Sequence, residues 1–280
     1  MASLPPDTHI GAVHLAVADL VQTSAFYADV LGFRAVEDGG GTNLSASGAP
    51  PYNLVLHSAA PGVGRHRTAG LYHFAIRLPD RAHLGRALRH LVNARAPIEG
   101  ASDHAVSEAV YLHDPEGNGI EIYADRSRDR WPSRAGRLEM TTAPLDLDDL
   151  FASTPGSWDG MPAGTQIGHI HLRVNDLARA EAFYAATLGF DVMARGYPGA
   201  LFVAAGGYHH HIGLNTWAGR VGPADPAGPG LRYFAVVLPD RETRDALVAR
   251  ARAAGIQVVP GEGGGVLLRD PDGIGVMLTN

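Results

Sequence analysis

Three side chains on separate predicted strands are suited to bind a metal ion. His14, His73 and Glu121 each alternate along a strand with branched or aromatic residues that should pack beneath helices, so the three lie on the opposite face. Two imidazoles and one carboxylate form the facial ligand set of non-haem Fe(II) sites, which leaves coordination positions open for other molecules. The competing interpretation is a solvated sheet face, on which His and Glu are ordinary residues.

The composition limits the ligands and the partners. The chain of 280 residues contains 14 histidines and no cysteine, which excludes disulfides, thiolate metal sites and cysteine nucleophiles. A formal net charge of −6 gives no electrostatic footprint for nucleic acid or an anionic membrane. No apolar run approaches about 18 residues, and the first residues lack the pattern of a secretion signal. We therefore expect a cytoplasmic protein.

The sequence repeats itself at an offset of about 157 residues. The matching pairs of segments are His14–Leu20 and His171–Leu177, Phe26–Phe33 and Phe183–Phe190, and Asp114–Gly117 and Asp270–Gly273. Each half divides again, because a strand and a helix followed by three short strands is predicted over 10–58, 70–124, 167–215 and 231–279. Four such modules indicate a duplicated architecture rather than an unrelated pair of domains.

The first module illustrates the elements that must position the ligands. Ile10–Val17 is a predicted strand and Leu20–Leu31 a predicted helix, with Gly32 where a helix C′ residue belongs. The second module repeats this with the strand Gly70–Leu78 and the helix Asp80–Ala94. We expect an α+β fold in which the four βαβββ modules pair into two cup-shaped mixed β-sheets with helices outside.

The predicted domains follow from this repeat. Residues 1–124 form an N-terminal domain with the metal site, and residues 165–280 form a C-terminal domain. Residues 125–164 are rich in Arg, Pro, Ser and Asp, which predicts a linker with one helical turn near 145–151.

The motifs of these modules resemble those of the vicinal oxygen chelate superfamily. They read H-x-x-V-x-D-L, F-Y-x-x-x-L-G-F and D-P-x-G-N-G-I-E, and the superfamily includes glyoxalase I, fosfomycin and bleomycin resistance proteins and type I extradiol dioxygenases. The segment 206–215, GGYHHHIGLN, is most similar to the catechol 2,3-dioxygenase-like branch. The resemblance implies that His14, His73 and Glu121 bind Fe(II), with Mn, Ni, Co or Zn as alternatives. In the second half Tyr233 and Met277 replace His73 and Glu121, and a thioether is a poor ligand for such ions.

Two further residues are acid–base candidates. Tyr111 precedes Glu121 by ten residues across a turn, which makes the two approximate cross-strand neighbours. The resemblance implies that this phenol hydrogen-bonds a bound catecholate, whereas a packing role is the alternative. His104 approximates the position of a second-sphere histidine of the family and would suit proton transfer. A loop histidine that faces solvent is the alternative there.

One position departs from the family pattern. The resemblance implies a catalytic His on the last strand of the module that carries the first ligand, but this sequence has Asn53 there. Asn53 can bind substrate but cannot act as a base, and His57 on the same strand face is a weak substitute. A second cluster, His169, His171, His209 and His211, falls in the C-terminal half. It could line a pocket, bind a second metal, or reach the first site if the domains pack closely.

The resemblance favours an Fe(II)-dependent extradiol dioxygenase that cleaves the ring of a small aromatic diol with O₂. The alternatives are a metal-dependent isomerase, epimerase or lyase of the glyoxalase type, and a protein that sequesters a small molecule. Related proteins often form oligomers, so a homo-oligomer is left open, and no nucleic-acid or membrane partner is expected.

Overall fold

A computed structural model describes residues 3–60, 67–134 and 137–280. The predicted ranges 1–124 and 125–164 therefore include residues outside the described ones. The four-module repeat is confirmed. Module one contains β1 His9–Val17, α1 Leu20–Ala25, β2 Arg34–Asp38, β3 Gly41–Ser45 and β4 Leu54–Ser58; module two contains β5 Gly70–Arg77, α2 Arg81–Asn93, β6 Ile98–Asp103, β7 Ser107–His113 and β8 Gly119–Asp125.

The second half repeats the same order of elements. Module three contains β12 Gln166–Arg173, α4 Leu177–Glu181, β13 Asp191–Ala194, β14 Ala200–Ala204 and β15 Ile212–Asn215; module four contains β16 Gly230–Val237, α5 Arg241–Ala253, β17 Val258–Pro260, β18 Val266–Arg269 and β19 Gly275–Thr279. Between the halves lie β9 Ser133–Arg134, β10 Arg137–Leu138, β11 Ala143–Pro144 and α3 Leu147–Ser153, which is the helical turn predicted near 145–151. No helix among the described residues has both the length and the apolar character needed to cross a membrane.

The first helix is shorter than predicted. It is α-helical to Ala25 and continues as a π-helix over Phe26–Val30, where the Leu31 N–H donates to the Phe26 carbonyl five residues back. Module three repeats this feature over Ala182–Thr187. Gly32 ends the first helix with a φ of 81°, a conformation that glycine adopts without a side-chain clash.

Two large mixed sheets contain most of the strands. The eight-stranded sheet has the order β17-β18-β19-β16-β1-β4-β3-β2, and the nine-stranded sheet has the order β11-β6-β7-β8-β5-β12-β15-β14-β13. β1 pairs antiparallel with β16, and β5 pairs parallel with β8 in the other sheet. The first strands of modules one and two thus lie in different sheets, whereas the predicted site required them in one.

The chain divides into two compact units, residues 17–58 with 73–168 and residues 1–16, 59–72 and 169–280. In the first of these, α2 covers one face of the sheet because Leu84, Leu88 and Leu91 share one side of the helix and are almost fully buried. The facing strand residues, such as Ile120 and Ile122, are 1% exposed. The other face of these strands carries Glu121 beside the buried cluster Ala75, Ala109 and Tyr123.

A buried tyrosine–aspartate pair joins the π-helical segment of each half to a turn between two strands. Tyr27 donates to Asp114 over 2.9 Å, and Tyr184 donates to Asp270 over 3.1 Å. The Ile274 and Asp272 backbone N–H groups also donate to Asp270. Burial nevertheless dominates at Asp270 and raises the pKa of its carboxyl to about 6.

The raised pKa predicts that this carboxyl destabilises the fold as it ionises. A folded-state pKa of about 6 against 3.8 means that the folded chain binds the proton more tightly, so this contribution to stability is complete below about pH 4 and is lost as the pH rises through 6. We expect a loss of about 3 kcal/mol across that window in wild-type protein and none from this site in Asp270→Asn. The free energy of unfolding of both proteins is measured with urea from pH 4 to pH 7. If it depends on pH equally in the two proteins, the raised pKa of Asp270 is contradicted.

Candidate metal centre

His73 and Glu121 form a buried pair on neighbouring strands. β5 and β8 run parallel in a register that sets Ala75 opposite Glu121 and His73 opposite Gly119. His73 Nε2 lies 3.1 Å from Glu121 Oε2, and the two side chains are 11% and 4% exposed. Burial of a carboxylate is costly without a cation or hydrogen bonds, so a carboxylate kept beside an imidazole in this interior is suited to a metal ion.

Tyr111 lies beside this pair, as the hairpin spacing predicted. The antiparallel register of β7 and β8 sets Tyr111 directly opposite Glu121. Its ring centroid is 5.8 Å from that of His73, and its ring also packs against the cluster Ala75, Ala109 and Tyr123. The phenol is half-buried, so it borders the pair and remains within reach of a ligand.

His104 contacts the hydroxyl of Tyr111. Its Nδ1 lies 2.8 Å from the Thr141 carbonyl oxygen and its Nε2 lies 2.6 Å from Tyr111 Oη. A carbonyl can only accept, so Nδ1 carries a proton and Nε2 of the neutral ring accepts the Tyr111 proton. The alternative of a histidine that merely faces solvent is therefore wrong, although the loop after β6 gave no sequence signal for this contact.

Asn53 and His57 lie at the other sheet. His57 belongs to β4, a strand of the eight-stranded sheet, and Asn53 directly precedes that strand. Asn53 is 9% exposed, and its Nδ2 donates to the Thr165 carbonyl over 3.3 Å. This amide holds a backbone segment, and the structure does not bring it to the sheet that carries His73 and Glu121.

His14 also has different surroundings from those predicted. It is opposite Tyr233 in the β1–β16 ladder, and the two rings stack with centroids 4.0 Å apart. Tyr233 donates to Glu262 over 2.9 Å, and burial together with that carboxylate raises the pKa of the phenol. Met277 packs with Tyr233 in an apolar cluster. The eight-stranded sheet therefore has an aromatic and a thioether where the nine-stranded sheet has His73 and Glu121.

The sequence prediction missed a spacing rule that distinguishes the position of His73 on its strand from that of His14. An aspartate side chain caps the N-terminus of the helix in every module, at Asp19, Asp80, Asp176 and Asp240. His73 comes seven residues before its cap. The residues at the same distance in modules one, three and four are Ala12, His169 and Tyr233. His14 and its repeat His171 lie two residues later on the same strand face, so pairing the modules by these histidines predicted His14 rather than His169.

His73, Glu121 and His169 are the group of described residues suited to hold a metal ion. Each offers one ligand atom, the three atoms lie within 4.8 Å of one another, and all three residues are buried. The predicted ligands His73 and Glu121 belong to this group, and His14 does not. Two imidazoles and one carboxylate suit Fe(II) and other borderline divalent ions, and the absence of cysteine from the sequence excludes thiolate sites.

The histidines of the segment 209–211 have separate roles around His169. The His210 ring lies 4.0 Å from that of His169 and is half-buried, whereas His209 is fully buried. His211 Nδ1 accepts the Ala205 backbone N–H over 3.1 Å, which makes it a structural anchor. One imidazole thus remains accessible beside a ligand candidate.

The fold and these motifs define the family. The chain belongs to the Glyoxalase/Bleomycin resistance protein/Dioxygenase superfamily, whose model matches residues 9–122 and 166–278. It is 45% identical over 265 residues to the Catechol-2,3-dioxygenase of Bacillus subtilis (strain 168), with 92% of each chain covered.

Solved structures share the fold at low identity. A candidate dioxygenase from Bacillus subtilis subsp. subtilis str. 168 gives a TM-score of 0.69 at 14% identity, covering 99% of this chain and 86% of that one. Glyoxalase I from Zea mays gives a TM-score of 0.59 at 16% identity, covering 98% and 92%. At these identities the likeness concerns the fold alone.

Proposed function

We propose that this protein is an Fe(II)-dependent extradiol dioxygenase that opens the ring of a catecholic aromatic. The reaction breaks the ring carbon–carbon bond next to the diol and adds both atoms of O₂, giving a ring-opened semialdehyde acid. The buried group His73, Glu121 and His169 carries the proposal, because two imidazoles and one carboxylate leave room for a diol and O₂ together. The 45% identity to a catechol-2,3-dioxygenase over 92% of the chain supports it.

His73, Glu121 and His169 are the proposed ligands, with His169 in place of the predicted His14. Bound Fe(II) would offer coordination positions for both substrates and pass charge between them. Mn, Co, Ni and Zn are compatible with the same donors, so the metal itself is part of the proposal. The proposed catecholic substrate is small, and the half-buried Tyr111 borders its site.

Tyr111 and His104 handle a proton of the substrate in this proposal. Tyr111 donates its own proton to His104 Nε2, so its oxygen is left to accept from a substrate hydroxyl. The Thr141 carbonyl fixes the His104 tautomer through Nδ1. Deprotonation of the diol can therefore proceed through Tyr111 to His104 without rotation of either ring.

Substitution Tyr111→Phe is expected to lower kcat/KM about 10- to 100-fold, the usual effect of losing one hydrogen bond to a charged partner. Metal content should stay at the wild-type level, because the phenol is not among the three proposed ligands. Steady-state O₂ uptake and metal analysis measure the two. Tyr52→Phe, a half-buried tyrosine just before β4, is the control that should leave both unchanged. Loss of metal in Tyr111→Phe would overturn this role.

His210 is the proposed acid–base residue in place of Asn53 and His57. Family relatives have a histidine on the last strand of the module that carries the first ligand, and with His169 as that ligand the module is the third. His210 is the accessible imidazole of the segment, 4.0 Å from His169 by ring centroids. An imidazole can both accept and donate a proton, which suits transfer of a proton to the ring-opening product.

The function is tested by loading the purified protein with Fe(II) without air and presenting a panel of catechols in an O₂ electrode. We expect O₂ uptake with at least one diol, a product absorbing as a ring-opened semialdehyde, and loss of both after EDTA. Iron-loaded protein that consumes no O₂ with any diol would refute the dioxygenase and favour a metal-dependent isomerase, epimerase or lyase. Zn- or Ni-loaded protein assayed for hemithioacetal isomerisation then tests that alternative.

A further inference from the structure

One face of β12 extends from His169 towards the end of the strand. His169, His171 and Arg173 alternate with Ile170 and Leu172, which are both 0% exposed and belong to the core on the other side. The backbone of four residues spans about 13 Å, so Arg173 stands well beyond the ligand candidate but on the same face.

Aromatic rings connect the two ends of this face. The His210 ring contacts His169 at 4.0 Å and Phe202 at 5.0 Å, and Phe202 contacts His171 at 5.6 Å. His171 in turn contacts Trp217 at 5.4 Å and Tyr72 at 5.2 Å. We call the row of rings formed by His210, Phe202, His171, Trp217 and Tyr72 the aromatic trough, in which Phe202 and His171 are buried at 8% and 4% exposure.

The outer end of the aromatic trough is open to solvent. Trp217 is 50% exposed and Tyr72 is 37% exposed, and their rings meet edge to face at 5.5 Å. Large aromatic side chains exposed side by side commonly mark a surface that a ligand covers. A flat aromatic ligand would extend from His169 along these rings.

A positive charge stands at this open end. The Arg173 guanidinium carbon lies 5.4 Å from the Tyr72 ring centroid. Arg173 also lines a cavity of about 170 Å³ with Arg67, and Asp225 lines it too. The formal charge of the whole chain is −6, whereas the two arginines and one aspartate that line this cavity have a formal charge of 2 − 1 = +1.

We infer that the substrate is a catechol with an anionic side chain, and that Arg173 binds the carboxylate of this side chain. The inference rests on the proposed function and refines its substrate. The diol end would lie by His169, the ring substituent would follow the aromatic trough, and a carboxylate at its end would meet the guanidinium, which matches carboxylate geometry with two parallel N–H donors. Arg173 is then a specificity-determining residue.

The test compares two catechols that differ only in charge, one with a carboxymethyl group on ring carbon 4 and its methyl ester, with unsubstituted catechol as reference. Wild-type protein should give kcat/KM at least tenfold higher for the acid than for the ester. Arg173→Met should remove this preference through a 10- to 100-fold rise in KM for the acid, with a much smaller effect on the ester and on unsubstituted catechol. Arg195→Met, an exposed arginine paired with Glu181, is the matched control that should keep the preference.

Equal kcat/KM for the acid and the ester in wild-type protein would overturn the inference, as would an Arg173→Met variant that loses activity on all three catechols equally. Turnover of unsubstituted catechol distinguishes these results from a failure of the proposed function, in which no catechol is consumed. Quenching of Trp217 fluorescence by the acid but not by the ester provides a readout independent of turnover. Quenching of equal strength by both compounds counts against Arg173 in either case.

Discussion

The variant His169→Ala is expected to lose its metal and its O₂ uptake, whereas His14→Ala should retain both. His169 would be one of three protein ligands, and removing it should cost more than the roughly 10- to 100-fold in affinity that loss of an outer-shell partner costs. His14 instead stacks on Tyr233 at 4.0 Å in the eight-stranded sheet. His14 and His169 lie in different sheets and at different distances from the capping aspartate of their modules. Comparing the two variants therefore tests which of these histidines binds the metal.

Metal content per chain after Fe(II) loading and gel filtration is the direct measurement, with O₂ uptake as the second. Glu121→Ala and His73→Ala should behave like His169→Ala, since each removes one donor of the same group. The opposite result, with metal lost in His14→Ala and kept in His169→Ala, would restore the ligand set first expected from the sequence and contradict the one proposed here.

Replacing His210 by alanine is expected to lower kcat by about 10²- to 10⁴-fold while the protein keeps its metal. This range is typical for the loss of a general acid or base. Added imidazole should restore part of the rate. A variant that had lost only a structural contact would not be rescued in this way.

His9→Ala is the control for this variant, because His9 is exposed and its Nδ1 lies 2.9 Å from the Asp7 carbonyl oxygen. It should retain the wild-type rate. A His210→Ala protein with wild-type kcat would remove His210 from the mechanism, as would a slow variant that added imidazole does not restore. The fully buried His209 would then be the next residue to substitute.

Local patterns predicted the modules well, but they did not predict how the modules combine. The Tyr111–Glu121 pairing depends on one short turn, so its register follows from counting residues. The pairing of β1 with β16 joins distant parts of the chain, and the same strand patterns would equally allow β1 to join β5. Only the assembled sheets separate His14 from His73.

The sequence prediction did not select His169, because His169 and His171 share one strand face and periodicity alone cannot choose between them. The distance to the capping aspartate does choose, since the cap fixes where the strand ends and the helix begins. The His104 contact with Tyr111 lacks even such a signal. It depends on a loop in which Ala105 adopts a φ of 65°, a conformation that alanine rarely takes and sequence patterns do not indicate.

The pairing of β1 with β16 also sets an order of events during synthesis. β1 ends at Val17, whereas its partner strand β16 begins only at Gly230. At about 5 to 20 residues per second, β1 waits on the order of ten to forty seconds before this neighbour has been translated. Its apolar residues Val13, Leu15 and Val17, all 0% exposed in the finished fold, are without this partner throughout that interval. The edge of β1 that faces β16 thus stays unpaired for most of the chain's translation, whereas its other neighbour in the sheet, β4, is available early.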